Sequence, residues 1–540
     1  MSYLICLISG VLTALPLIFD SLWWLAWISI VPFFYVLIKD TPKYRHGLVF
    51  SLGYYGVLYH WFTALYPMDF AGLSPSESAL VCAAGWIGFA LIQSLGTALI
   101  APLFRLSKGK KRWLYPVMLA AWWTILEWAQ SLTFAGIPFF RLAISQVACR
   151  QMIQGAALFG SLFVGTLIAF SNACFALGFL RESEDIEARK EKERKKFKFK
   201  PNVAAAIGAS VMALNFLFGL FFMLYYVDNG EDIPVAVIQG NISSVEKWKS
   251  YSVMDCCDIY CDLTRQAVEE SGAKIVVWPE TVINVQIDYA EVIKNQISEL
   301  SVECDAYIVV GTFSQKTDGE GKEEIYNSQY LFLPDGRISE TVYSKRKLVP
   351  FGEYMPMEGL LSSIFPAISD VNIMQNDLNA GSDSEIFDTV YGKIGGIICF
   401  DSIYDSIVRD SVRDGAQLIA LSTNDSWYRD SAAVYQHNKH AVLRAVENGR
   451  YLLRAANTGI SSIISPTGEV MKSIGAQKEG YITENIVFRN SATPYARSGN
   501  VIVFFSVILM GMFVAFKYTF VKHDKKEPPK PINRKKGKTK

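Results

Sequence analysis

Charge is scarce in this chain: Asp, Glu, Lys and Arg make up 19% of 540 residues, against about 25% in ordinary soluble domains. Histidine is scarcer still, with five residues in the whole chain. That shortage leaves no Cys/His set at zinc spacing and no histidine close in sequence to a candidate nucleophile. No glycine-rich phosphate fingerprint is present either, so no nucleotide, metal or other cofactor is expected. The first apolar stretch lacks a basic leader and a cleavage site, so it is read as retained rather than as a signal peptide.

Apolar side chains fill the space instead: 51% of residues are hydrophobic and 13% aromatic. Apolar runs near 3–19, 22–38, 48–66, 78–104, 114–133, 157–180, 203–227 and 500–521 each come close to, or exceed, the roughly 20 residues that cross a bilayer as helix. The net charge of +1 hides a strong segregation of basic residues. Lys39, Lys43 and Arg45 follow the second run, Arg105, Lys108, Lys110, Lys111 and Arg112 the fourth, and RKEKERKKFKFK from Arg189 the sixth. The positive-inside rule puts these loops, the basic tail and both termini in the cytoplasm, and segment 228–499 outside. The run at 189–200 mixes Glu with Lys and reads as a solvated loop, so no nucleic-acid partner is expected.

The expected organisation is a seven-helix membrane domain over 1–227, an extracytoplasmic domain over 228–495, and an eighth span with a basic tail over 496–540. The middle segment changes texture. Short β-rich runs (IPVAVIQGNI, KIVVWPE, AYIVVGTF) alternate with amphipathic stretches such as MDCCDIYCDLTRQAVEES, the pattern of an α/β domain. The turn signals Pro-Asp-Gly in YNSQYLFLPDG and Pro-Thr-Gly in SSIISPTGEV suit hairpins. Cys256, Cys257, Cys261, Cys304 and Cys399 fall here, where disulfides can form, and their odd number leaves at least one thiol over. Cys257 and Cys261 read as helix packing. His437 and His440 share a helix face without a carboxylate in register and read as structural or site-wall residues.

In GGIICFDSIYD, Cys399 stands where an apolar run meets acidic residues; Glu280 ends the strand-like WPE; Lys345 and Glu353 lie in YSKRKLVPFGEYMP. A thiol with pKa about 8.5 needs help to become thiolate. WPE, K-x-x-LVPFGEY-x-P, G-x-x-ICF-D, STNDSWY and RAVENGRYLLRAANTG, in that order, resemble the nitrilase superfamily. Together with the multi-span N-terminal part they resemble the apolipoprotein N-acyltransferase family.

That resemblance implies an α/β/β/α sandwich with Glu280, Lys345 and Cys399 as a Glu-Lys-Cys triad. Glu280 would serve as proton carrier and Lys345 as the group favouring thiolate and oxyanion. It gives Glu353, Asn327, Phe400 and Asp401 supporting places and assigns Trp248, Trp427 and Tyr354 to substrate contact. Phe400 and Asp401 depart from the family's Tyr and Glu, since Phe400 lacks a hydroxyl and Asp401 is one methylene shorter.

The implied reaction takes an acyl chain from a glycerophospholipid, phosphatidylethanolamine being the expected donor, onto Cys399. From there it passes to the amine of a diacylglyceryl apolipoprotein, at the bacterial cytoplasmic membrane, with the chain acting as a monomer. Water in place of the amine would make the same triad a membrane-tethered amidase. Glu127 in WWTILEWAQ is the notable intramembrane carboxylate, read as an interfacial residue beside a substrate groove or as a snorkelling boundary residue. The loop TFAGIPFF after it is read as lining the route for lipid.

Overall fold

The computed structural model describes the chain except residues 69–72, 133–135, 192–201, 243–251, 318, 320, 358, 360–377 and 525–540. Every apolar run of the sequence becomes helical. Helices span Ser2–Ile18, Val31–Lys39, Tyr44–Leu58, Pro75–Thr97, Tyr115–Ala129, Ser161–Glu191, Val203–Leu224 and Val501–Asp524. Five helical segments among the described residues are long and apolar enough to cross a membrane: Asp20–Lys39, Pro75–Ser107, Ser161–Arg181, Val203–Leu224 and Val501–Tyr518. Tyr44–Leu58 and Tyr115–Ala129, at 15 residues each, rise only about 22 Å.

The run at 22–38 is not one α-helix. A 3-10 segment Asp20–Trp27 precedes Val31–Lys39, which restarts at Pro32, where a missing N–H costs nothing. Similarly the run at 157–180 breaks at Gly160, whose φ of +83° ends one short helix before Ser161 starts the next. Ser2–Ile18 and Tyr44–Leu58 pack backbone to backbone. A Cβ on Gly10 would lie 2.0 Å from the Phe50 carbonyl oxygen, the close approach that small residues permit between apolar helices.

The middle of the chain folds as two six-stranded sheets. The first has the order β12-β1-β2-β3-β4-β5 and the second β11-β10-β9-β8-β7-β6. Their strands are β1 (Ile233–Gln239), β2 (Ile275–Val277), β3 (Tyr307–Thr317), β4 (Glu323–Phe332), β5 (Ile338–Ser344), β6 (Ile386–Thr389), β7 (Gly392–Ile398), β8 (Leu418–Thr423), β9 (Tyr451–Ala456), β10 (Ser461–Ile464), β11 (Val470–Ile474) and β12 (Gly480–Ile486). The β4–β5 and β10–β11 pairs are antiparallel, as the Pro-Asp-Gly and Pro-Thr-Gly turns require.

The two-residue period of the strands builds the layers. Val235 and Val237 of β1 face inward, against Ile398, Leu418 and Leu453 of the other sheet. Ala236 and Ile238 face outward onto Cys257, Tyr260 and Cys261 of the helix Val253–Ser271. On the far side the helices Asp405–Arg413 and Ala432–Asn448 cover the second sheet, giving the α/β/β/α sandwich.

That second helix layer does not face solvent. Ile407, Val408, Ala441 and Val442 belong to one continuous buried cluster with Phe33, Phe50 and Trp123 of the apolar helices. The sandwich is thus built onto the helical bundle. Cys257, Cys261, Cys304 and Cys399 form no disulfide; the Cys257 and Cys261 sulfurs sit 3.8 Å apart on one buried helix face.

Candidate active site

Strand ends bring the site together. Lys345 directly follows β5, Cys399 directly follows β7, Asn424 directly follows β8, and Glu280 lies just beyond β2. Their side chains therefore converge at one edge of the sandwich, where polar groups can leave the sheets without opening a ladder.

Lys345 is 1% exposed and held between two carboxylates. Its Nζ donates to Glu280 Oε1 at 2.9 Å and to Glu353 Oε1 at 2.8 Å. Asn327 on β4 donates to the same two oxygens at 2.7 and 3.1 Å. The outer oxygens are held by main chain: Asn424 N donates to Glu280 Oε2 and Val349 N to Glu353 Oε2, both at 2.8 Å. Burial alone would lower the lysine pKa, but Glu280 and Glu353 hold it well above its ordinary value, so the ammonium stays charged.

Cys399 opens a short 3-10 turn, Cys399–Ile403, with φ of +47°. Thr281, next to Glu280, and Phe351, two residues before Glu353, also have positive φ, +45° and +64°. Such conformations cost a non-glycine residue about 1–3 kcal/mol and cluster where geometry serves function. Burial raises the Cys399 thiol pKa, and the Glu280 charge raises it further, against a smaller opposing pull from Lys345. A thiol in such surroundings needs a base to become thiolate.

The two departures from the family pattern resolve differently. Asp401 turns toward the segment that carries Lys345, and the Lys345 charge acts on its carboxyl. It accepts from the Tyr343 hydroxyl at 2.8 Å and from the main-chain N–H groups of Lys347 at 2.7 Å, Ile398 at 3.3 Å and Arg346 at 3.4 Å. It thus ties the Cys399 turn to the segment that carries Lys345. Burial pushes its carboxyl pKa up to about 6 despite these donors. Phe400 turns the other way, packing edge-on to Tyr404 at 5.7 Å within the core shared with the apolar helices.

Of the three residues assigned to substrate contact, Trp427 lies half-buried in the turn Ser426–Tyr428 that follows β8. Tyr354 is half-buried in the Glu353 loop, its carbonyl accepting from Phe351 N at 2.9 Å. Trp248 lies outside the described residues. Neighbours of the other two reach the bundle: Tyr428 meets Trp61 edge-on at 5.0 Å, and Phe351 meets Phe89 at 6.2 Å.

Glu127 is 7% exposed, with Oε1 accepting from Leu142 N at 2.8 Å, so it braces the following loop and does not snorkel. In that loop the described part, 136–140, has Phe139 and Phe140 at 4% and 3% exposure, and Phe140 lines a small cavity together with Glu127.

Sequence reasoning missed Asn424, Tyr343 and the partners of His437. Asn424 and Asp425 lie in STNDSWY, but nothing in that string reveals that a main-chain N–H holds Glu280. The two histidines do not face one another. His440 lies 3.0 Å from the Phe139 carbonyl, whereas His437 meets Asp425 and the nucleophile's own carbonyl.

A buried Glu-Lys-Cys set at the strand ends of this sandwich defines a carbon-nitrogen hydrolase domain, here seated on apolar helices. The family model for carbon-nitrogen hydrolases matches residues 234–493, and that for the apolipoprotein N-acyltransferase N-terminal domain matches 9–174. An apolipoprotein N-acyltransferase of Geobacter metallireducens is 29% identical over 506 residues, 92% of each chain. One of Gloeobacter violaceus is 29% identical over 500 residues, covering 90% of this chain and 89% of the relative. Among solved structures, an amidase from Nesterenkonia sp. aligns with 51% of this chain and 96% of its own, at 16% identity and a TM-score of 0.38. Over about nine-tenths of its length, then, the chain is similar to apolipoprotein N-acyltransferases.

Proposed function

We propose that this chain, an N-acyltransferase by similarity, moves an acyl group from a glycerophospholipid to the α-amine of a diacylglyceryl-cysteine at an apolipoprotein N-terminus through a thioester on Cys399. Glu280 takes the Sγ proton as sulfur attacks the ester carbonyl. The tetrahedral oxyanion forms beside the Lys345 ammonium, and its collapse expels the lysophospholipid oxygen, which receives the proton from Glu280. The acceptor amine then attacks the thioester and loses a proton to Glu280, and the thiol is regenerated.

The observation that carries this reading is Lys345, fully charged and buried between Glu280 and Glu353 beside the Cys399 turn. An ammonium already paired and desolvated needs no reorganisation when negative charge appears next to it. The membrane seat supports a lipid donor. The loops carrying Phe351 and Tyr428 both end on aromatic side chains of the apolar bundle, so an acyl chain has apolar surface close to the nucleophile, and water has little. The basic loops support a catalytic domain on the outer face of the cytoplasmic membrane, where donor and acceptor would share one leaflet.

The test is intact-protein mass spectrometry of wild type and Cys399→Ala after incubation with phosphatidylethanolamine, followed by a diacylglyceryl-cysteine peptide. An acyl mass on wild type alone that moves to the peptide amine is the expected result. An acyl mass lost to water at the same rate with or without peptide identifies a hydrolase, and no adduct on folded protein means that phosphatidylethanolamine is not the donor or that Cys399 is not the nucleophile.

A further inference from the structure

Cysteine does not adopt a φ of +47° unaided, and the structure shows what holds it. The Cys399 main-chain carbonyl accepts the Ser402 hydroxyl at 2.7 Å and lies 3.2 Å from His437 Nε2, which itself lies 3.0 Å from Ser402 Oγ. On its other edge the His437 ring meets Asp425 Oδ1 at 2.8 Å through Nδ1, and Arg454 donates to Asp425 Oδ2 at 2.7 Å. Ser402, His437, Asp425 and Arg454 are each at most 2% exposed. They come from four elements: the nucleophile's turn, the helix Ala432–Asn448, the loop after β8, and β9.

We propose that His437, oriented by Asp425 and Arg454, is a positioning residue that holds Cys399 in its left-handed, attack-ready backbone conformation. It acts through Ser402 and the nucleophile's carbonyl and leaves the proton to Glu280. Two features separate this from an ordinary buried histidine. The group it meets is the main chain of the nucleophile itself, and that main chain holds a positive φ that a non-glycine residue disfavours. A carboxylate on Nδ1 fixes the ring, as carboxylates fix metal-bound histidines, so Nε2 has one direction to point. Phe139 flanks the ring at 6.2 Å, and the bundle thereby takes part in setting the nucleophile.

The proposal rests on Cys399 being the nucleophile. It is tested on the full-length protein with His437→Ala, His437→Gln and Ser402→Ala, using two readouts per folded molecule. One is the rate of acyl-enzyme formation with phosphatidylethanolamine. The other is the pH profile of Cys399 alkylation by iodoacetamide, followed on the Cys399 peptide by mass spectrometry.

For His437→Ala, acylation is expected to fall about 100-fold, the scale of an ångström-level misplacement, with an altered alkylation profile. His437→Gln regains part of the rate, since its amide N–H reaches toward the same carbonyl, and Ser402→Ala loses less than His437→Ala. Acylation and alkylation both at wild-type values in folded His437→Gln and Ser402→Ala overturn the proposal, even where His437→Ala fails to fold. The alkylation arm needs no lipid. A wild type that takes no acyl group therefore defeats the reading of the reaction while leaving this one to be decided separately.

Discussion

Arg141, in the loop after the helix Tyr115–Ala129, donates to Asp405 at 2.9 Å across 264 residues of sequence, with both side chains at most 3% exposed. Asp405 begins the helix directly behind the nucleophile's turn and also accepts from Tyr495 and Asn500, at 3.0 and 2.6 Å. One carboxylate therefore joins the bundle, the catalytic turn and the start of the last apolar helix.

Removing either partner leaves a buried charge unmatched, so Arg141→Ala or Asp405→Ala should each cost about 3–5 kcal/mol. The double variant should cost less than the sum of the two. Thermal unfolding of the detergent-solubilised proteins measures this, and additive losses would mean that the pair carries no coupling. Burial alone would raise the Asp405 pKa, but Arg141 and Arg444 hold it below the usual carboxylate range. A lowered folded pKa contributes stability above the unfolded value that is lost as pH falls through the folded one. The contribution should therefore stay level at neutral pH and disappear only in strong acid.

Glu280→Gln keeps the shape of the side chain but cannot carry a proton, so acyl-enzyme formation should fall about 100- to 10,000-fold with little change in unfolding temperature. Lys345→Met should abolish acylation and also destabilise the fold, because Glu280 and Glu353 would then face each other without a cation. Equal stability of these two variants would contradict the charge arrangement described here.

Asp401 reverses the usual acid dependence. Its folded pKa of about 6 is above the ordinary aspartate value, so its contribution is fully present below the unfolded pKa and is lost as pH rises through about 6. Stability should decline over that interval by on the order of 3 kcal/mol in all, and the unfolding temperature with it. Asp401→Asn, which cannot titrate, should lack that decline. A wild-type slope unchanged in the variant would assign the titration to another group.

Gly311 on β3 lies under the Glu280 turn: an added Cβ would sit 2.2 Å from the Pro279 carbonyl oxygen and 2.8 Å from the Glu280 Cα. Gly311→Ala should therefore push Glu280 away from Lys345, at about 1–3 kcal/mol in stability and about 100-fold in acylation rate. Rates at wild-type level in the folded variant would show that the position of Glu280 is not critical.

Periodicity carried far in this chain. Apolar runs marked every helix of the bundle, because a helix in lipid must be apolar nearly all round. Short β-rich runs marked β1 and β3, because a sandwich strand covered on both faces is apolar along most of its length. The order of short motifs pointed to Glu280, Lys345, Cys399, Glu353 and Asn327, which the fold brings together. Asp401 was the residue least legible. Its chemistry suggested a part beside the triad, and its direction is set by Tyr343 of β5, by the main-chain N–H groups of Arg346 and Lys347 in the loop after that strand, more than 50 residues away, and by that of Ile398 at the end of β7.

By itself, then, the sequence determined which segments are apolar enough for a membrane, which are short β-rich runs, and which few residues are candidates for chemistry. Those properties are local, written in the spacing of neighbouring side chains. Tertiary structure alone decided that the second helix layer of the sandwich rests on the bundle and that Lys345 lies between two carboxylates rather than beside one. It likewise decided that His437 meets the carbonyl of Cys399. These relations depend on the register of separate strands and on which helix covers which sheet, quantities that exist only once distant parts of the chain have packed.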